Sequence, residues 1–449
     1  MSATRLADLT EALLAAATKA GAGAADAIAV DGASVSVDVR QGRLEQAERA
    51  EGIEIGLRVL IGGRQACVSA SDISARTIAD MAERAVAMAR EAPEDPWIGL
   101  ADPDQLSPRR DAAGLELEDP ADDPAASALE ADAREAEAAA LGVAGVAQVQ
   151  SASASYSRRR VHIAATNGFS GGYGRSSRAI SAVAISGEGL SMERDWAAES
   201  RIFQADLPGA AAIGCLAGER AVERAAPRRP KTGAFPVMID ERVAGSLIGH
   251  LLSAINGQAI ARGASWLRDG MGTQVLPAGL DLIEDPLRAR ISGSRPFDAE
   301  GLATARRAIV ENGVLMGWTL DLATGRKLGL PSTANASRGT SAPPSPGAGN
   351  VALSQGPKSR DQLIAEMGTG LLITSFIGAT INPTTGDYSR GAAGFWVENG
   401  QIAYPVNECT VAGNLREMLM RLTPANDARQ HLSHVVPSLL IEGLTLAGQ

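Results

Sequence analysis

The chain has 449 residues, 45% of them apolar and 21% charged, with a formal net charge of −10. That length exceeds one ordinary hydrophobic core and calls for about two or three domains of a soluble globular kind. The acidic balance argues against sequence-independent nucleic-acid binding, which needs a basic face.

The first elements alternate quickly. Thr4 to Ala20 is expected to be a helix, with Leu6, Leu9, Leu13 and Ala17 on one face and Gly21 ending it. Val35, Val37 and Val39 alternate with polar residues, as do Ile53, Ile55, Leu57, Val59 and Ile61. Gly62-Gly63 then turns the chain into Arg64 to Ala70. A second helix is expected over Asp72 to Glu91, with Ile78, Met81, Ala85 and Met88 aligned. Residues 1–92 thus read as an α-β-β-β-α unit. Residues 93–123, rich in Pro, Asp and Gly without a period, read as a linker.

Residues 124–228 read as a central α/β region. A helix covers Pro124 to Leu141, and strands follow at Val146 to Ser157 and Arg160 to Thr166. An Asn167-Gly168 turn opens a glycine-rich loop to Gly174, then come a strand over Arg178 to Ile185 and a helix over Gly209 to Ala226. The basic clusters Arg158-Arg159-Arg160 and Arg228-Arg229 read as solvated surface.

From 229 to 449 the pattern is mostly β. Pro236 to Ile239 is a strand, and Asp240 caps a helix over Glu241 to Asn256 that Gly257 stops. Ala336 to Gly349 is a Pro/Gly/Ser-rich loop with no structure signal, hence mobile or functional. Leu371 to Phe376, turns at Asn382-Pro383 and Thr385-Gly386-Asp387, and the Glu398-Asn399-Gly400 hairpin form an antiparallel meander. Glycines from Gly391 to Gly394 suit a strand that another backbone approaches closely. The fold class is α+β: amino-terminal antiparallel sheets with packed helices, then a mostly-β carboxy-terminal domain carrying one helix.

Chemistry has few places to live. Cys67, Cys215 and Cys409 are scattered, which argues against a disulfide framework and for a reducing, cytoplasmic setting. No secretory signal or bilayer-spanning apolar run is read. No Walker loop, dinucleotide fingerprint or nucleophile elbow occurs. Of the four histidines, His162, His250, His431 and His434, His250 sits on the capped helix. A zinc-peptidase helix needs a second ligand and an acidic base one turn away. Gly245 and Ser246 stand there instead, so His250 reads as a packed core residue. His431 and His434, spaced i, i+3, are a weak metal pair, and Cys409 reads as a structural thiol.

The meander resembles the carboxy-terminal part of the TldD/TldE (PmbA) family. The resemblance rests on Asn382-Pro-Thr-Thr-Gly386, Glu398-Asn-Gly400 and Val411-Ala-Gly-Asn414. Ser294 to Gly301, Val310-Glu-Asn-Gly313, Leu444 to Gly448 and the strand Glu51 to Val59 add to it, so it spans nearly the whole chain. The family implies an α+β amino-terminal portion, a mostly-β carboxy-terminal domain, and a helix that in TldD-type subunits carries His-Glu-x-x-x-His, with a later Cys as third zinc ligand. Such subunits process or degrade small peptides, and an older family label is modulator of DNA gyrase. Aligned on His250, Gly245 takes the place of the first histidine and Ser246 that of the glutamate, and no cysteine follows Cys409.

The resemblance is therefore to TldE/PmbA, the non-catalytic partner. It implies no catalytic or metal-binding residue and no cofactor in this chain, and zinc in a TldD-like partner. It further implies peptide substrates in an enclosed chamber and leaves open a homodimer when the chain is alone, while charge and the absence of a spanning run argue against nucleic-acid and membrane partners. His250, Asn382, Tyr388, Arg390 and Gly391 are the expected peptide or partner contacts. The alternatives are a self-sufficient metallopeptidase using His250, His431 and His434, and a non-proteolytic binding protein.

Overall fold

The computed structural model describes residues 3–448. It opens with α1 (Ala3–Ala20), β1 (Ala24–Arg40), β2 (Arg43–Ile61), β3 (Arg64–Ala70) and α2 (Ala75–Glu91). Ser74 caps α2 by accepting the Thr77 N–H. The expected apolar stripes come together: Leu6, Leu9, Leu13 and Ala17 of α1 and Ile78, Met81 and Ala85 of α2 pack on Ile55, Leu57 and Val59. Met88 is the exception, at 48% exposure.

The next elements are α3 (Ala126–Leu141), β4 (Val146–Ala165), β5 (Ser170–Ser186), β6 (Glu193–Arg201) and α4 (Ala210–Glu223). They extend the same sheet, whose order is β3-β2-β1-β4-β5-β6, antiparallel throughout. A single sheet therefore runs through both the amino-terminal and the central regions, with α1 and α2 over one part and α3 and α4 over another.

Several local expectations fail here. β4 is one unbroken strand, because Arg158 to Arg160 keep register with both β1 and β5. Arg158 pairs with Glu118 and Asp123 and Arg160 with Glu118, so only Arg159 is exposed. The stretch up to Gly174 is strand, not loop. Its glycines lie where neighbours crowd in: a Cβ at Gly172 would stand 2.6 Å from the Val161 carbonyl oxygen. Residues 93–123 are bound down, with Leu115 and Leu117 buried and the Leu117 carbonyl accepting the Ser176 N–H.

The carboxy-terminal portion starts with β7 (Gly233–Ile239), α5 (Glu241–Ala254) and α6 (Gly257–Ala261). Gly257 does not stop a helix. Asn256 accepts the Gln258 N–H and so starts a new one. Next come β8 (Leu282–Glu284), β9 (Arg307–Glu311), β10 (Val314–Leu315), α7 (Leu322–Leu328), β11 (Ala336–Ser337), β12 (Ser345–Pro346), β13 (Val351–Leu353) and α8 (Arg360–Met367). The chain ends with β14 (Gly370–Ile381), β15 (Asp387–Glu398), β16 (Gln401–Asn414), α9 (Leu415–Met420), β17 (Leu422–Pro424), β18 (His434–Val435) and β19 (Leu439–Ala447).

Strands β16-β15-β14-β7-β19 form a sheet that closes on itself through a β16–β19 pairing, and β17 flanks β19. A small sheet of order β10-β9-β8-β13-β18 packs into the same core, in which Trp396, Leu371 and Ile373 are fully or nearly fully buried. The segment from Ala336 to Gly349 is built in rather than loose. β11 pairs β12, and Thr340 lies against Gly56 so closely that any Cβ there would fall well inside 3.0 Å of its backbone. Arg338 pairs with Asp26 of β1. Among the described residues no helix is long and apolar enough to cross a membrane.

Candidate functional site

The helix α5 is fixed at its start. Asp240 accepts the Arg242 N–H and also pairs with the Arg242 and Arg360 guanidiniums at 3.1 and 2.9 Å. Arg242 and Arg224 both reach Asp195 on β6. Glu241 pairs with Arg429, which pairs with Glu199, also on β6. These ion pairs tie the helix to the first sheet. Ala244, Leu247, Ile248 and Leu251 bury one face of α5, and the 3.6-residue period turns Gly245, Ser246, Gly249 and His250 to another.

That second face meets β14 and β15. The His250 ring stands edge-on to Tyr388, centroids 5.9 Å apart, and Tyr388 edge-on to Phe376 at 6.5 Å. The Arg390 guanidinium lies 4.4 Å from the centre of the Phe376 ring. Its Nε donates to the Gly378 carbonyl at 2.8 Å, and its Nη1 to Ser246 Oγ at 3.4 Å. Ser246 in turn donates to the Val243 carbonyl at 2.7 Å. Tyr388 and Arg390 share a face because they are two apart on one strand. Four expected residues, Ser246, His250, Tyr388 and Arg390, thus come together.

The electrostatics are those of a half-buried, cationic nook. Burial and then the Arg390 charge lower the His250 pKa, and burial pushes the Tyr388 hydroxyl up to about 12. His250 is a neutral imidazole whose Nε2 is buried without a hydrogen-bond partner. A Cβ at Gly245 would meet nothing within 4 Å, so the face is open where a ligand side chain would stand. The donor set does not fit a catalytic zinc: one imidazole, one engaged hydroxyl, no carboxylate, and a guanidinium that repels a cation. Among the described residues no group of three or more His, Cys, Asp or Glu side chains could hold a metal ion.

The other expected residues lie elsewhere. His431 is 3.3 Å from Glu199, and His434 sits in β18 opposite Val351, so the self-sufficient set of His250, His431 and His434 does not assemble. His162 bonds Thr10 at 2.9 Å. Cys409 is buried in the barrel core, its thiol 3.1 Å from the Ala392 carbonyl and pushed up to about 11 by burial, as a structural thiol should be. Asn382 accepts the Thr384 and Thr385 N–H groups and shapes an exposed turn. Gly391 and Gly394 do face close backbone, but it is that of β14. With β14 and β16 paired on its two sides, β15 has no edge for an added peptide strand. Sequence reasoning missed Phe376 and the role of Arg390 as a clamp on Ser246. The period-2 pairing of Tyr388 with Arg390 was the available signal.

The domain models of the PmbA/TldA metallopeptidases match residues 25–89 (domain 1), 118–226 (central domain) and 232–448 (C-terminal domain). The Metalloprotease PmbA of Escherichia coli O157:H7 is 35% identical over 416 residues, 92% of this chain and 90% of that one. The chain belongs to the TldD/TldE (PmbA) family. In fold it is similar to a candidate modulator of DNA gyrase from Bacteroides thetaiotaomicron VPI-5482, with a TM-score of 0.90, 27% identity and 98% of each chain covered. It is also similar in fold to TldE from Thermococcus kodakarensis, with a TM-score of 0.84, 18% identity, and 98% of this chain and 100% of that one covered. In this member α5 carries Gly245, Ser246 and His250.

Proposed function

We propose that this chain is the non-catalytic, TldE-like subunit of a heteromeric metallopeptidase that processes or degrades small unfolded or modified peptides. A TldD-like partner would hold the zinc and perform the cleavage, in the cytoplasm, where three unpaired thiols are at home. The observation that carries this reading is the second face of α5. Gly245 offers no donor, Ser246 is engaged, and Arg390 sets a cation where a zinc site needs none.

The nook of His250, Tyr388 and Arg390, with the exposed Asn382 turn beside it, would face the partner or a peptide in a shared chamber. Gly391 adds no side chain to that face. A homodimer would form when the partner is absent. An added peptide strand would need a free edge, and β2 has one: Arg43 to Glu54 pair with β1 on one side, while β3 covers only Ile55 to Ile61 on the other.

Co-expression with the TldD-like chain of the same organism tests the reading. The two should co-purify, and peptide cleavage should require both. Cleavage by the TldD-like chain alone at the same rate would refute the required role. Stoichiometric zinc and peptidase activity in this chain purified by itself would refute the non-catalytic one.

A further inference from the structure

Between β4–β5 and the carboxy-terminal loops lies a cavity of about 610 Å³, a size ordinary for a small-molecule site. Four arginines line it: Arg159 of β4, Arg175 of β5, and Arg295 and Arg338 from the loops. Arg338 has a fully buried side chain. The Nε of Arg175, the Nε of Arg295 and one terminal nitrogen of Arg338 are each buried without a hydrogen-bond partner.

Three lining residues thus each carry an orphaned guanidinium N–H group, costly to keep buried when nothing accepts from it. The arginines are held mainly by neutral oxygens. Arg175 donates to the Ser294 carbonyl at 2.5 Å, and Arg295 to the Ala336 and Gly347 carbonyls at 3.3 and 3.0 Å. Arg338 pairs with a carboxylate, Asp26, which it shares with Arg58, and Arg295 feels the charge of Asp298. Asp298, also in the lining, already accepts the N–H groups of Glu300, Leu302 and Ala336. The lining thus sets four guanidiniums against the single carboxylate of Asp298, with Asp26 behind Arg338, and its balance is positive. Ile28, Ile163 and Phe297 supply an apolar surface in the same cavity.

We infer that this cavity binds a small organic oxyanion, a carboxylate or phosphate carried on an apolar body. Guanidinium forks match both oxyanions, and the apolar surface takes the rest of the molecule. The inference stands apart from the proposed subunit role, since it concerns a different face of the fold.

Calorimetry and thermal unfolding of the full-length protein test it with three probes: benzoate, its neutral analogue benzamide, and inorganic phosphate. Benzoate should bind saturably and raise the unfolding midpoint, and benzamide should do neither. Arg175→Gln should weaken benzoate by about tenfold or more, the worth of one charged hydrogen bond. Arg159→Gln removes an exposed rim charge without touching the packing, and should weaken it less. Saturable phosphate binding with benzoate silent, lost in the same variants, supports the site and assigns its ligand as a phosphate. Binding of neither anion, equal binding of benzamide, or benzoate affinity unchanged in both variants would overturn the inference.

Discussion

The Arg390 guanidinium reaches Ser246 Oγ at 3.4 Å, across the gap between β15 and α5. Ser246 is the position at which the sequence resemblance leads one to expect the catalytic glutamate of TldD-type subunits. In this chain the position faces a fixed cation, which the Phe376 ring and the Gly378 carbonyl hold in place. A carboxylate there would pair with Arg390, which would lower its pKa and weaken it as a general base. The departure from the peptidase motif therefore involves a residue on another strand as well as the helix itself.

This coupling predicts the result of restoring the motif. Gly245→His with Ser246→Glu returns His-Glu-x-x-x-His to α5, and there is room for the new imidazole. The double variant should still purify with far less than one zinc per chain and cleave no peptide. Two imidazoles lack a third ligand, and the introduced carboxylate would pair with Arg390. Elemental analysis after native purification decides it, and full zinc occupancy would show that Arg390 does not oppose a cation.

Asp240 is the second site of leverage. Its side chain is 4% exposed, caps α5 and meets two guanidiniums. Asp240→Ala removes a cap and leaves Arg242 with one fewer partner in a buried network. The expected loss is about 3 kcal/mol or more of unfolding free energy, read from the urea midpoint. Asp240→Asn, which keeps the cap acceptor, should lose less.

Much of this was legible in the sequence and some was not. The amphipathic faces of α1 and α2, the Asp240 cap and the Asn399-Gly400 hairpin follow from local periodicity and turn chemistry, which the tertiary structure leaves intact. The glycines at 171–174 misled because a glycine-rich run signals a loop locally, whereas these glycines answer to neighbours far away in sequence, such as Arg110 beside Gly171. The loop from Ala336 to Gly349 carried no periodic signal because long-range contacts, the Arg338–Asp26 pair and the Gly56–Thr340 approach, hold it. In the site, Ser246 and His250 could be placed on one helix face and Tyr388 and Arg390 on one strand face. That the two faces meet is a fact of strand order, which a single sequence does not encode locally.

Gly394 gives a sharp steric prediction. It sits in β15 with the Leu372 carbonyl and the Ile373 Cα on β14 pressed against it, and a Cβ would fall inside 3.0 Å of both. Neither is the flexible end of a side chain, so the barrel backbone would have to move. Gly394→Ala should destabilise by about 3 kcal/mol. Gly245→Ala, whose Cβ meets nothing within 4 Å, should be neutral or slightly stabilising, since alanine favours helix. Paired thermal unfolding curves of the two variants compare them directly, and equal midpoints would contradict the steric argument.

Glu300 predicts the pH dependence of stability. It lies half-buried at the start of α7, accepts the Leu322 N–H at 2.9 Å, and faces Asp298 and Asp321. Burial, then the Asp298 charge, push its carboxyl up to about 8 from an ordinary 4.5, and burial raises Asp298 as well. A carboxyl that stays protonated in the folded chain but ionises in the unfolded one favours folding at low pH. Its contribution is fully present below about 4.5, falls as pH rises towards about 8, and is constant above that. Glu300→Gln keeps an acceptor for Leu322 and carries no charge at any pH. The variant should therefore flatten the decline in stability between about pH 5 and pH 8, and its advantage over the natural chain should grow as pH rises through that window. Urea unfolding at several pH values measures the slope, and parallel curves for the two proteins would mean that Glu300 ionises normally in the fold.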